Sequence, residues 1–226
     1  MTNLKVVSIS LARGGSKGVP RKNIVDICGK PLVGYVLDAA KNSKYITDRY
    51  VSTEDLEIKN VVNSLGAKVI DRPLELATDD AKCEDALIHF ANQVDFDILC
   101  FIQTTSPLVL ASDIDKGIEK IISGEYNSVF STTVETWVPK WVQAGDIVKP
   151  VNWTPEKRPR RQQMPELLIE NGAFYITTKE QLMTNKLRYS GKIGSVEMPL
   201  KRSFQIDTPD ELELIRSIIK NGVHYD

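Results

Sequence analysis

The sequence predicts a single α/β domain built on a mostly parallel sheet with helices on both faces. Short apolar runs alternate with stretches of helical periodicity as far as about residue 131, a rhythm typical of strand–helix–strand units joined by right-handed crossovers. The 226 residues, 42% of them hydrophobic and 26% charged, suffice for one domain that buries most of its apolar surface. We therefore interpret residues 1–226 as a single domain.

The predicted strands are short apolar runs, and the run at 97–102 is the best candidate for a central strand because it is continuous. In chain order they span 6–10, 49–52, 68–70, 97–102, 128–131, 171–177 and 193–197. The predicted helices have apolar residues at helical spacing. They span 31–41, 55–65, 84–93, 113–122 and 209–220. Pro31 suits a first helical turn, and Gly66 and Gly124 suit helix ends.

The alternation of strands and helices breaks in the segment 137–165. This segment contains Trp137, Trp141 and Trp153, several prolines and the basic run 157–161. The simplest interpretation is a long excursion over the surface. Three tryptophans so close together favour an interface instead, because exposed apolar clusters often mark one.

Composition and charge exclude several classes of protein. A formal net charge of −1 argues against a general nucleic-acid-binding protein, which would carry an excess of basic residues. No run approaches the roughly 20 apolar residues of a membrane span, and the first strand leaves no room for a signal peptide. Cys28, Cys83 and Cys100 are odd in number and far apart, so we expect reduced thiols in a cytoplasmic protein.

The loop after the first predicted strand is the clearest candidate for a phosphate-binding site. Its glycines, Gly14, Gly15 and Gly18, are expected to let the backbone turn with positive φ and to let N–H groups approach an anion. The spacings G-x-x-x-x-G-K-[ST] and G-x-G-x-x-G are both absent, which excludes two familiar phosphate motifs. The alternative is a solvated basic loop. The positive charge comes from Arg13, Lys17, Arg21 and Lys22.

The stretch Ala12-Arg13-Gly14-Gly15-Ser16-Lys17-Gly18-x-Pro20-x-Lys22-Asn23 closely resembles the signature of the CMP-sialic acid synthetases, or acylneuraminate cytidylyltransferases. The likeness continues in the family's order through 103–107, 160–162, 170–175 and Asp207. These enzymes join CTP and a nine-carbon 2-keto sugar acid, giving the CMP-sugar and pyrophosphate. The resemblance implies a Rossmann-like nucleotide-diphospho-sugar transferase fold and a homodimer. It also implies that residues 137–165 project toward the partner subunit as a dimerisation segment.

By this resemblance, the basic loop holds the nucleotide. Backbone amides of the loop together with Lys17 would bind phosphates, and Lys22 would stabilise the transition state. Lys22, Arg13 and Asp207 are therefore the expected catalytic residues. The full set of expected nucleotide-binding residues is Arg13, Gly14, Gly15, Ser16, Lys17, Lys22, Asn23 and Arg72.

The resemblance also implies which residues bind the sugar. Arg161 would pair with the sugar carboxylate, because a guanidinium binds a carboxylate bidentately. Two alternatives stay open: the segment 103–107 is also typical of a strand-to-turn transition, and the arginines at 158–161 also suit a solvated face or interface salt bridges. The expected sugar-binding residues are Gln103, Thr105, Ser106, Arg161, Gln162, Asn171 and Tyr175.

The segment 205–211 is the expected metal site. Transfer of CMP needs Mg²⁺ to offset charge on the phosphates, and Mg²⁺ prefers one or two carboxylates. Where the family has D-x-D, this chain keeps Asp207 but has Gln205 in place of the first aspartate. Asp207 is the expected main ligand, and the Gln205 oxygen would ligate without contributing charge. Asp210 and Glu211 are expected in the first turn of the last helix, where negative charge favours the dipole.

The predicted function is transfer of CMP from CTP to the anomeric hydroxyl of a sialic acid or related nonulosonic acid. One alternative is an enzyme of the CMP-Kdo synthetase type, whose opening loop lacks this glycine–lysine form. Another is a protein that binds CTP or a CMP-sugar without turnover, an alternative that Gln205 supports. A third is a structural role in a biosynthetic assembly, through the tryptophan-rich segment.

Overall fold

The computed structural model describes residues 4–136, 139–164 and 166–222. The strands are β1 Val6–Leu11, β2 Asp26–Ile27, β3 Lys30–Pro31, β4 Ile46–Thr53, β5 Lys68–Asp71, β6 Ile98–Ile102, β7 Ser128–Val134, β8 Trp141–Ala144, β9 Ile147–Pro150, β10 Leu168–Thr178 and β11 Ile193–Glu197. The α-helices are α1 Leu32–Lys41, α2 Leu56–Ser64, α3 Cys83–Gln93, α4 Ala111–Ile122, α5 Lys179–Asn185 and α6 Pro209–Lys220.

A seven-stranded sheet in the order β11-β7-β10-β6-β1-β4-β5 forms the centre of the fold. The pairs β11–β7, β6–β1, β1–β4 and β4–β5 are parallel, and β10 is antiparallel to both of its neighbours. This confirms the predicted mostly parallel sheet. Each predicted strand and helix overlaps an observed one.

The core lies on both faces of the sheet. In β6, Ile98, Cys100 and Ile102 pack toward α1 and α4, while Leu99 and Phe101 pack toward α3 and α5. Burial on both faces explains why this strand is apolar at every position. Each large side chain that is fully buried contributes roughly 1.5–3 kcal/mol of transfer free energy. The predicted arrangement, with helices on both faces, is therefore confirmed.

Helix α6 returns to the N-terminal loop. Its Leu212 and Ile215 pack with Val19 and Leu32 in one buried cluster. The helix begins with a capping box in which the Thr208 hydroxyl accepts from the Glu211 N–H, and the Glu211 carboxylate accepts from the Thr208 N–H. Glu211 thus lies in the first turn, as predicted, and the segment before the helix is carried next to the basic loop.

The segment after β7 contains a hairpin that the sequence analysis did not predict. Strands β8 and β9 pair around Gly145, whose φ of 65° suits the turn. Trp141 packs edge-on against Trp153 with ring centroids 4.9 Å apart, and Trp141 remains 51% exposed. Trp137 and Pro165, which bound the predicted dimerisation segment, lie outside the described residues. Its role in dimerisation stays a prediction.

Among the described residues, none of the helices combines the length and the apolar character needed to cross a membrane.

Candidate active site

Two cavities open where the parallel strands end. The ion pair between Lys22 and Asp207 lies between them. The first, about 320 Å³, is lined by the basic loop, the segment 76–86 and the residues that follow β6. The second, about 530 Å³, is lined by residues of β10 and of the segment 200–211. Lys22 lines the first cavity, Asp207 lines the second, and Lys22 Nζ lies 2.8 Å from Asp207 Oδ1. Ligands of open α/β sheets bind at this edge.

Two glycines of the basic loop, Gly14 and Gly18, serve close approach and not a left-handed turn. Gly14, Gly15 and Gly18 all have φ outside the left-handed region, so the predicted positive φ is wrong. A Cβ on Gly14 would lie 2.5 Å from Asp55 Oδ2, and a Cβ on Gly18 would lie 2.0 Å from the backbone oxygen of Asp207. Only glycine allows the chain to pass so close to these groups.

Arg13 and Lys17 share a single carboxylate, that of Asp79. Arg13 Nη2 lies 2.7 Å from Asp79 Oδ1, and Lys17 Nζ lies 2.5 Å from Asp79 Oδ2. Hydrogen bonds from Lys17 and Arg13 hold the pKa of Asp79 below its ordinary value. The sequence analysis missed Asp79, which lies in an irregular segment after β5. A polyphosphate carries more negative charge than one carboxylate, so it can replace Asp79 as the partner of both cations.

Arg21 has a structural role, although the sequence analysis counted it with the cations of the loop. Its guanidinium donates to both oxygens of Asp55, at 2.7 and 2.8 Å, and to Glu57. Asp55 also caps α2 by accepting from the Ile58 N–H. The hydrogen bonds from Arg21, with help from that N–H, lower the pKa of Asp55 to about 2. Arg21 therefore ties the loop to α2.

We expect this ion pair to make stability depend on pH in the acid range. The folded pKa of Asp55, about 2, lies below its ordinary value of 3.8, so the contribution is present above pH 4 and lost as the pH falls toward 2. Asp55→Asn keeps a capping side chain but removes the charge, and should cost about 1–2 kcal/mol at pH 7. Urea unfolding of both proteins at pH 7, 4 and 2.5 measures how much unfolding free energy the substitution costs at each pH. An equal cost at every pH would contradict the prediction.

Asn23 joins the basic loop to the end of β6. Its Nδ2 donates to the Arg13 carbonyl at 2.8 Å, and its Oδ1 accepts from Thr104 Oγ1 at 2.5 Å. Both residues are buried and line the first cavity. Thr104, which the sequence analysis did not single out, therefore helps to position the predicted nucleotide-binding loop.

Arg72 is a buried cation in the wall of the first cavity. One Nη atom donates to the Ser52 carbonyl at 2.5 Å, while Nε lies 4.0 Å from Glu54 Oε2, within ion-pair range but too far for a hydrogen bond. Burial lowers the pKa of Arg72, and the charge of Glu54 opposes this shift. Among the described residues, its buried Nε–H has no hydrogen-bond partner. Arg72 lines the first cavity, and its role in nucleotide binding stays a prediction.

The second cavity brings together several of the predicted sugar-binding residues. Gln103, Asn171 and Tyr175 all line it. The Asn171 side chain donates to Ser203 Oγ at 2.9 Å, which ties β10 to the segment before α6. The Tyr175 hydroxyl donates to a carboxylate oxygen of Glu170, and burial is the main cause that raises the pKa of Tyr175. Glu170 also lines the cavity, although the sequence analysis did not single it out.

Three other predicted sugar-binding residues are not brought to the second cavity. Thr105 lines the first cavity, Ser106 is buried, and Gln162 is exposed and lines neither cavity as described. The side chain of Arg161 lies outside the described residues, so its predicted pairing with the sugar carboxylate stays a prediction.

The residues around Asp207 suit a magnesium ion that is also bound by the substrate. Asp207 is 59% exposed at the boundary of the two cavities. In the part of the chain that the structure describes, no group of three or more His, Cys, Asp or Glu could hold a metal ion. A single carboxylate together with phosphate and water oxygens is within the range that Mg²⁺ accepts.

Comparison with known sequences assigns the chain to a family. Residues 7–225 match the family model described as cytidylyltransferase. The chain is 38% identical over 207 residues to N-acylneuraminate cytidylyltransferase A of Danio rerio, covering 89% of this chain and 48% of that protein. It is 29% identical over 226 residues to pseudaminic acid cytidylyltransferase of Campylobacter jejuni, covering 96% of this chain and 97% of that protein. The chain spans about half the length of the first curated relatives it matches.

Solved structures share the fold. CMP:2-keto-3-deoxy-manno-octonic acid synthetase complexed with CTP superposes with a TM-score of 0.77 at 19% identity, covering 97% of this chain and 100% of that one. A 4-diphosphocytidyl-2C-methyl-D-erythritol synthase from Anaerococcus prevotii has a TM-score of 0.69 at 11% identity, covering 96% and 97%. These matches confirm the predicted fold class, and the sequence relatives confirm the resemblance carried by the basic loop. The chain belongs to the cytidylyltransferase family.

Proposed function

We propose that this protein transfers CMP from CTP to the anomeric C2 hydroxyl of a sialic acid or related nonulosonic acid, releasing pyrophosphate. The observation that carries the proposal is the Lys22–Asp207 ion pair between a basic cavity and a cavity lined by amides, hydroxyls and carboxylates. The first cavity suits a triphosphate, and the second suits a polyhydroxy acid. The names of the sequence relatives agree with these substrates.

In the proposed reaction, the residues of the chain mainly position groups and stabilise charge. Arg13 and Lys17 exchange Asp79 for the phosphates of CTP, and the Arg72 guanidinium adds positive charge in the cavity wall. The C2 oxygen of the sugar attacks the α-phosphorus in line and releases its proton to solvent water. The bond between that phosphorus and the β-bridging oxygen breaks, and pyrophosphate leaves. Lys22 offsets the charge that develops at the reacting phosphate.

Asp207 would hold Mg²⁺. When bound, this ion offsets negative charge on the phosphates and on departing pyrophosphate. The position of Asp207, 59% exposed at the boundary of the two cavities, supports this role.

We also propose that the protein is a single-domain cytoplasmic homodimer, with residues 137–165 as the dimerisation segment. The described part of this segment exposes a cluster of large apolar side chains that a partner subunit would cover. Each is more than half exposed: Trp141, Val142, Ile147, Val148 and Val151. Cys28, Cys83 and Cys100 are free thiols, which agrees with a reducing compartment. Sedimentation with and without residues 141–150 tests the dimer.

The proposed reaction is tested by pyrophosphate release from CTP and Mg²⁺ with a panel of nonulosonic acids. The panel includes 3-deoxy-manno-octulosonic acid, and ATP replaces CTP in the control. We expect release with CTP and a nine-carbon acid. Release only with the eight-carbon acid would favour the CMP-Kdo synthetase type. The third outcome is a folded protein that binds CTP but releases no pyrophosphate with any acid of the panel. This outcome would favour a binding protein without turnover.

A further inference from the structure

Gln205 is fixed in the wall of the second cavity by the protein itself. Its Nε2 donates to the backbone carbonyl of Asn171 at 2.5 Å. The amide lies against Gly172, which has a φ of 69°, and a Cβ on Gly172 would come within 2.1 Å of Gln205 Nε2. The side chain therefore occupies space that only a glycine leaves open. With its N–H group anchored, Gln205 has its carbonyl oxygen left to accept a hydrogen bond.

A second amide, that of Gln103, lies near the same glycine. The same Cβ would lie 3.3 Å from Gln103 Oε1, and this oxygen accepts from Thr105 Oγ1 at 3.5 Å. The NH₂ group of Gln103 can donate a hydrogen bond. Because a hydroxyl group both donates and accepts, one amide donor and one amide acceptor beside Gly172 suit a sugar hydroxyl.

The other carboxylates of the second cavity accept hydrogen bonds from the protein, which makes Asp207 the candidate metal ligand. Glu211 Oε2 accepts from the Asp207 N–H and from the N–H and hydroxyl of Thr208, so it is used as a helix cap. Glu170 accepts from the Tyr175 hydroxyl. Of the three carboxylates that line the second cavity as described, Asp207 is the one that meets the nucleotide-side cation Lys22.

We propose that Gln205 binds a hydroxyl group of the acceptor sugar and is not a metal ligand. The protein then holds Mg²⁺ through the Asp207 carboxylate and the phosphates of CTP. This inference rests on the proposed function and assigns Gln205 to the sugar side of the site.

The test compares Gln205→Ala with Asp207→Asn by two readouts. The first is the KM for the sugar acid and for CTP. The second is the affinity of the protein–CTP complex for Mn²⁺, followed by electron paramagnetic resonance without any sugar. Gln205→Ala should raise the KM for the acid about tenfold, the cost of about one lost hydrogen bond, and should leave Mn²⁺ affinity within about twofold. Asp207→Asn should weaken Mn²⁺ binding about tenfold or more.

Gln205→Glu serves as the matched control because it keeps the length of the side chain. It loses the donor to the Asn171 carbonyl and adds a charge that repels an acidic sugar, so the KM for the acid should rise further. Circular dichroism and thermal unfolding verify that each variant folds.

Equal loss of Mn²⁺ affinity in Gln205→Ala and Asp207→Asn would overturn the inference, as would an unchanged KM for the acid. A wild-type protein that binds Mn²⁺–CTP but turns over no acid would overturn the proposed function; the Mn²⁺ comparison would still decide whether Gln205 is a metal ligand. A wild-type protein that does not bind CTP would overturn both.

Discussion

Lys22→Ala is expected to lower kcat for pyrophosphate release by about 10²–10³-fold, the loss typical when one group that stabilises transition-state charge is removed. The Lys22 side chain is 17% exposed and points its Nζ at the boundary between the two cavities. A cation about 4 Å from a phosphate contributes about 4 kcal/mol at an effective dielectric constant of about 20, before desolvation is subtracted. The charge on the phosphate grows during the reaction, so the loss should appear in kcat more than in the KM for CTP.

The same substitution should change stability little. Asp207 is 59% exposed, and an ion pair with such an exposed partner contributes at most about 1 kcal/mol. Lys59→Ala is the matched control, since Lys59 Nζ pairs with Asp71 at 2.7 Å, with side chains 27% and 83% exposed, and Lys59 lines neither cavity. Both variants should unfold near the wild-type temperature, but only Lys22→Ala should lose activity. Unchanged turnover in a folded Lys22→Ala protein would remove Lys22 from the active site.

Gly18→Ala is expected to impair both folding and activity. The new Cβ would lie 2.0 Å from the backbone oxygen of Asp207, and no side-chain rotation can relieve a contact with backbone. The basic loop or the segment before α6 must therefore move. Overpacking of this kind costs about 1–3 kcal/mol. A displacement of about 1 Å between Lys22 and Asp207 would lower turnover about 10²-fold.

Gly15→Ala is the matched control for stability, because no heavy atom lies within 4 Å of a Cβ there and φ is outside the left-handed region. This variant should be as stable as the wild type or gain about 0.4–1 kcal/mol, since alanine lowers the entropy of the unfolded chain. Thermal unfolding and pyrophosphate release are measured on Gly18→Ala, and thermal unfolding on Gly15→Ala. Equal unfolding temperatures for the two variants would contradict the tight approach of Gly18 to Asp207.

The elements that the sequence predicted share strong local signals. Strand β6 is buried on both faces and therefore apolar throughout, and α4 carries Ile114, Ile118 and Ile121 on its buried side. The elements that the sequence analysis missed have weak local signals. Helix α5 spans only Lys179–Asn185 and buries Leu182 alone, too few residues to show a period. In the hairpin β8–β9, both strands are largely exposed, so they lack the alternation of a half-buried strand.

The residues of the candidate site also fall into two groups, those that a local pattern identifies and those that only a long-range contact places. Arg13, Lys17 and Lys22 were identified because glycines interleave with cations directly after a strand, which is a local pattern. Asp79 and Thr104 were missed because each gains its place from a partner far along the chain. Asp79 meets the basic loop across 66 residues, and Thr104 meets Asn23 across 81. No spacing rule links such positions.

By itself, the sequence determined the α/β class, the order of its main strands and helices, the basic loop and the family resemblance. These follow from short-range periodicity and from one contiguous motif. Only the tertiary structure decided which cations face the cavities: it assigned Arg21 to α2 and Lys22 to Asp207, 185 residues away. It also decided that Gly18 serves close approach. The approach of Lys22 and Gly18 to Asp207 depends on how α6 packs back onto the N-terminal loop, a long-range contact that local sequence does not encode.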